Sequence, residues 1–205
     1  MSIKDAPTGV ARVPVQQNKD VAPAAEARSV TVRRPTGAQV LAVLRITMGL
    51  TFLWAFLDKT FGLGYSTSSS HAWINGGSPT KGFLGHVEVG PFQGMLRDWA
   101  GQGWADWLFM IGLAAIGLAL ILGIGVRIAA TTGVLLLAFM WFAEFPIARF
   151  DSTGAATSST NPFIDYHLVY AVVLVALAVF AAGETWGFGR MWAKLDFVAR
   201  NPWLR

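Results

Sequence analysis

The run WLFMIGLAAIGLALILGIGV, residues 107–126, contains no charged residue. Its length is close to the roughly 20 apolar residues that cross a hydrocarbon layer, and this limits the fold more than any other feature. Lipid offers the backbone no hydrogen-bond partner, so the run must be helical. Three more stretches share its character. They are VLAVLRITMGLTFLWAFL at 40–57, IAATTGVLLLAFMWFA at 128–143, and 163–182 around LVYAVVLVALAVFAA. With 54% hydrophobic and 14% charged residues, the chain is too apolar for an ordinary soluble domain. The expected fold class is an all-α membrane protein, a bundle of four transmembrane helices.

The second and third stretches are separated only by the turn around Arg127, so they must form an antiparallel hairpin. Asn161 can cap the fourth helix, with Pro162 at its first position. Ala115, Ala119 and Gly123 repeat every fourth residue, as do Ala178 and Ala182. Such small residues predict close helix packing. The 23 residues GETWGFGRMWAKLDFVARNPWLR predict an amphipathic interfacial helix, with Trp186, Trp192, Phe197 and Trp203 at headgroup level. Arg190, Lys194, Arg200 and Arg205 would face anionic lipid.

Three domains follow: a polar tail at 1–36, the helical domain at 37–183 and the amphipathic tail at 184–205. The first carries Pro7, Pro14, Pro23 and Pro35, lacks a secretory leader's apolar core, and reads as disordered. Its alternative is a segment that orders on a partner. Four spans put both termini on one side, together with Arg127. That side holds eleven Lys and Arg residues against Lys59, Lys81, Arg97 and Arg149 on the other. The excess makes the termini cytoplasmic in a bacterial inner membrane. In a membrane chain the net charge of +4 reads as orientation, not as nucleic-acid binding.

Two loops are then external. In the longer, Phe92, Met95, Leu96 and Trp99 share one helical face, which predicts a short interfacial helix. The same topology gathers six ionisable residues at one depth: Asp58 and Lys59 after the first stretch, Glu144 and Arg149 after the third, Asp165 and His167 before the fourth. Thr47, Thr51, Trp54 and Asp58 fall on one helical stripe, and His167 shares a face with Tyr170. Asp58, Glu144 and His167 are the candidate catalytic residues, because a carboxylate or imidazole near neutrality exchanges protons with a quinone oxygen. Lys59, Trp54, Arg149, Asp165 and Tyr170 are candidate substrate contacts. The alternative for the whole cluster is a set of interfacial salt bridges. Arg45 either snorkels to the cytoplasmic headgroups or finds a partner inside the bundle.

The segment GGSPTKG, residues 76–82, lacks Walker spacing, but Ser78, Thr80 and Lys81 could cradle an oxyanion. Cysteine is absent, which excludes thiolate metal sites, iron–sulfur clusters and c-type haem. His71 and His86 lie in the loop, and His167 is the sole histidine on a span. No GxGxxG follows a strand. The expectation is therefore no haem, flavin or metal, with diffusible quinone or a partner's group carrying electrons.

The segment from Arg45 through Gly49, Phe52, Leu53, Trp54, Asp58, Lys59, Phe61 and Gly62, followed by WINGGSPTKGF, resembles the DoxX/DoxD family of small four-helix membrane proteins. It is most similar to the DoxD-type subunit of thiosulfate:quinone oxidoreductase, and the tail is similar to those of actinobacterial DoxX-type proteins. The resemblance implies oxidation of thiosulfate to tetrathionate with electrons passing to membrane quinone, and a second protein subunit as partner. The other reading is a non-catalytic accessory subunit of a larger respiratory or redox complex.

Overall fold

The computed structural model describes residues 36–88, 91–145, 149–150, 154–156 and 161–205. The expected N-terminal tail lies outside them, apart from Thr36. Among the described residues the fold is helical, with no strand and one isolated bridge between Phe150 and Ala156. Three helices are long and apolar enough to cross a membrane. They are α1, Gly37–Phe61; α4, Gly103–Leu122; and α5, Val126–Glu144. The shorter α2, Lys81–Leu84, and α3, Gln93–Trp99, lie in the loop between α1 and α4. The last apolar helix is α6, Tyr166–Val179.

Local chemistry sets these boundaries. At the start of α1, the Gln39 side chain accepts from Thr36 N at 2.9 Å, one half of a capping box. At its end, Gly62 takes φ +65° and donates to Asp58 O, a left-handed cap that side chains disfavour. Helices α4 and α5 meet through Gly123 and Gly125, both at positive φ, so the chain reverses in a few residues.

The fourth helix is shorter than expected. It has 14 residues, about 21 Å of rise, against a hydrocarbon core of about 30 Å. Its cap is Asp165, which accepts from Leu168 N at 3.1 Å. Asn161 does not cap it. The Asn161 Oδ1 accepts from Phe163 N and Ile164 N, closing a turn before the helix. At the other end, Ala181 turns left-handed and a 3-10 turn, Ala182–Glu184, follows.

The helix α1 packs on α4, α4 on α5, α5 on α6, and α6 on α1. Met48, Phe52, Met110, Leu120, Leu174 and Leu177 fill the centre. Only 28%, 39% and 33% of the apolar windows in α1, α4 and α5 are buried. The outward residues are apolar too: Leu50, Ile111, Leu135 and Val172 are each more than half exposed. Water would not tolerate such a coat on every side, whereas lipid would.

The small-residue stripe is only partly packed: Ala119 and Ala178 lie on the core, and a Cβ on Gly123 would stand 2.9 Å from Gly183 O. Ala115 is exposed. Helices α1 and α4 meet at Gly49 and Gly117. A Cβ on Gly49 would stand 2.9 Å from Gly117 O, and one on Gly117 would stand 2.8 Å from Leu53 N. The Thr47–Thr51–Trp54 stripe also faces outward, while Asp58 turns in. The Thr51 hydroxyl donates to Thr47 O at 3.0 Å, so lipid exposure leaves it satisfied.

Two predicted interfacial helices fare differently. The loop helix exists as α3, with Leu96 buried against Val87 and Ala143. The tail is not one helix. It is the turn Ala182–Glu184, then α7, Gly189–Trp192, then α8, Asp196–Arg200, then a 3-10 turn, Pro202–Leu204. Arg127 N donates to Arg205 O at 2.7 Å and Trp192 Nε1 to Leu204 O at 2.7 Å, so the tail folds onto the α4–α5 turn. Val198 is fully buried by this folding.

Candidate functional site

The antiparallel bundle has a turn end, at Arg127, and a loop end, where α1 and α5 finish and α4 and α6 start. At the loop end Asp165 does two jobs. One carboxylate oxygen caps α6, and the other sits 2.6 Å from His167 Nδ1. His167 is 1% exposed, and the Tyr166 ring lies against it at 4.0 Å. Tyr170 meets Tyr166 edge-on at 5.8 Å and is half-buried. Trp141 Nε1 donates to Phe163 O at 3.0 Å, which ties the end of α5 to the approach to α6. The contact between the carboxylate and Nδ1 fixes the orientation of the imidazole ring. A carboxylate that fixes an imidazole in this way is the arrangement general bases use.

The other predicted residues disperse. Asp58 is 1% exposed, but its oxygens serve its own loop. One accepts from Tyr65 N at 3.2 Å; the other accepts from Ser66 N at 3.0 Å and Ser66 Oγ at 2.6 Å. Trp54 is 45% exposed and meets the Tyr65 ring edge-on at 5.1 Å. Lys59 is half-buried and makes no hydrogen bond or ion pair among the described residues. Glu144 closes α5, and its side chain lies outside the described residues. Arg149 is exposed, its guanidinium 5.3 Å from the Phe150 ring.

The 76–82 loop turns its donors inward, onto a residue that sequence reasoning passed over. Asp106 Oδ1 accepts from Ser78 Oγ at 2.9 Å, from Thr80 N at 2.9 Å and from Thr80 Oγ1 at 2.6 Å. Thr80 Oγ1 in turn accepts from Gly101 N at 3.2 Å. Ser78 and Thr80 are thus spent on this carboxylate, while Lys81 is exposed. The missed signal was an acid in the first turn of an apolar helix, where the helix dipole favours it. His71 and His86 are exposed, and no group of three metal-ligating side chains exists among the described residues.

Arg45 does not snorkel. It is fully buried and takes five carbonyls: Ala182 O, Leu120 O, Ile121 O, Thr185 O and Trp186 O. Two of these, Leu120 O and Ile121 O, lie in the last turn of α4, where Leu120 O also accepts from Gly123 N at 3.2 Å.

One further feature of the loop end is an apolar cavity of about 170 Å³ between the α2–α3 loop and α4 and α5. Phe83, Leu96, Trp99, Trp104, Leu108 and Phe139 are among its lining residues. Trp104, Leu108 and Phe139 are each more than half exposed, so its rim faces the lipid side. No family model, curated protein or solved structure matches the chain.

Proposed function

We propose that the chain is an integral membrane subunit of a quinone-linked oxidoreductase of the DoxX/DoxD kind. It passes electrons from thiosulfate or another small reductant to membrane quinone. In this reading helix α6 and the turn that precedes it complete a fourth crossing, and the excess of Lys and Arg at the turn end puts that end in the cytoplasm. The loop end then faces outward, with α3 at the interface. Joining two thiosulfates through an S–S bond releases two electrons. Quinone takes up two electrons and two protons to become quinol. His167 is the group that exchanges a proton with the quinone oxygen, and Asp165 positions it. Lys59 and Lys81 attract the anionic reductant. The observation that carries this reading is the buried Asp165–His167 pair, 2.6 Å apart at the loop end.

The test is quinone reduction by thiosulfate in proteoliposomes. His167→Gln should lower the rate by about 100-fold or more while leaving the melting temperature near the wild type. Asp58→Asn should lower melting temperature and rate together. An unchanged rate in His167→Gln would remove the assignment.

A second reading is a non-catalytic accessory subunit of a larger redox complex. The internal use of Asp58 and Asp106 favours it, because both buried carboxylates hold loops. Co-purification with redox subunits, and no activity alone, would select it.

A further inference from the structure

The turn end carries a surface groove of about 700 Å³ between α5, α6 and the final 3-10 turn, lined by Arg127, Ile128, Thr131, Thr132, Ala178, Val179 and Trp203. Its floor is apolar in effect. The Thr131 hydroxyl donates to Arg127 O at 2.9 Å and that of Thr132 to Ile128 O at 2.9 Å, so neither needs water. Val179 is 70% exposed there with no protein cover.

The rim is cationic. Arg127 is the second residue of α5 and sits where the apolar span begins. Its Nη1 donates to Pro202 O at 3.0 Å, and its other guanidinium N–H groups have no acceptor among the described residues. Trp203 is 64% exposed, and its indole N–H likewise has no acceptor among them. An adjoining recess of about 100 Å³, which shares Arg127 and Ala178, is lined by Glu184 and Arg205, one charge of each sign. Arg127 is the cation over the groove, and its guanidinium keeps donors to spare.

We propose that this groove is a binding site for one anionic glycerophospholipid. Its phosphate meets the Arg127 guanidinium and the Trp203 indole N–H, and an acyl chain lies along Ile128, Ala178 and Val179. The combination selects the ligand. A guanidinium with spare donors at the end of an apolar span calls for an anion at phosphate depth. The satisfied apolar floor beneath it calls for a hydrocarbon attached to that anion. A second copy of the chain would meet the apolar floor and leave the cation unmatched.

The test is native mass spectrometry of the detergent-purified chain after mixing with phosphatidylglycerol or phosphatidylcholine. Phosphatidylglycerol should be retained at least about tenfold better. Arg127→Gln should bring it to the phosphatidylcholine level, Val179→Trp should lower retention of both lipids by filling the groove, and Lys194→Gln, a cation outside the groove, should lower phosphatidylglycerol retention far less than Arg127→Gln does. Glycerol 1-phosphate, which lacks the chain, should not compete. Equal retention of the two lipids would overturn the site, as would wild-type retention in Arg127→Gln or in a folded Val179→Trp. An equal loss in Lys194→Gln would reduce it to diffuse surface charge. Competition by glycerol 1-phosphate would replace lipid with free phosphate as the ligand. A dimer that forms in place of the lipid adduct would assign the groove to a second copy.

Discussion

A guanidinium has five N–H donors, and Arg45 faces five carbonyls, so its donors and acceptors match in number. Its charge also sits at the negative end of the α4 dipole, which offsets some of the cost of burial. Lysine has three donors and no planar fork. Arg45→Lys should therefore leave carbonyls unpaired and cost on the order of 2–4 kcal/mol, read as a lower melting temperature in micelles. An unchanged midpoint would show that water replaces the lost contacts. The charge of Arg45 was legible in the sequence; its partners were not. Every residue has a carbonyl, so nothing in the letters marks those at 120–121 and 182–186 as acceptors. Asp165 and His167 were legible as two residues at one helix start, but not as a bonded pair, because the sequence placed His167 with Tyr170 and gave the cap to Asn161. Asp58 was legible as buried but not as a loop anchor, because Tyr65 and Ser66 bind it through backbone groups as well as a hydroxyl.

At the scale of the helix, spacing told less than expected. A four-residue repeat of small side chains names a stripe but not the neighbour it faces. Ala115 faces outward, and the α1–α4 contact rests on Gly49 and Gly117. Gly117→Ala should push the helices apart and cost about 1–3 kcal/mol, whereas Ala115→Leu should leave the melting temperature nearly unchanged. If the two variants behaved alike, the crossing point would be misplaced. The start of α6 shows the same limit. Asn161–Pro162 has good cap chemistry, but Asn161 closes a turn and Asp165 becomes the cap, because its carboxylate serves both Leu168 N and His167. Periodicity found every long helix; it did not resolve which of two competing polar residues would start the last one.

For the whole molecule, the apolar runs marked the long helices; three of these are long and apolar enough to cross a membrane, and they expose apolar faces. What the runs could not display was how the ends are closed. At the loop end Asp58, Asp106 and Asp165 each hold a separate segment. At the turn end Arg45 does the same with backbone. The tail looked detachable in sequence because its aromatics and cations read as a surface stripe. In the fold it supplies two of the carbonyls that Arg45 needs, Thr185 O and Trp186 O.

This has a consequence for biosynthesis. Arg45 enters the bilayer with α1, yet three of its acceptors lie 137, 140 and 141 residues further along the chain. In the proposed membrane topology, a ribosome that has delivered the four apolar helices leaves this cation with two of its five acceptors until residues 182–186 emerge. Chains cut after Ala181 should therefore insert normally and then be cleared by membrane proteases, and Arg45→Leu in the same truncated chain should prolong their lifetime in a pulse-chase. Residues 182–186 would then act as a folding check, distinguishing molecules in which Arg45 is covered from those in which it is not. Equal lifetimes for the truncated chains with and without Arg45 would show that the cation plays no part in that sorting.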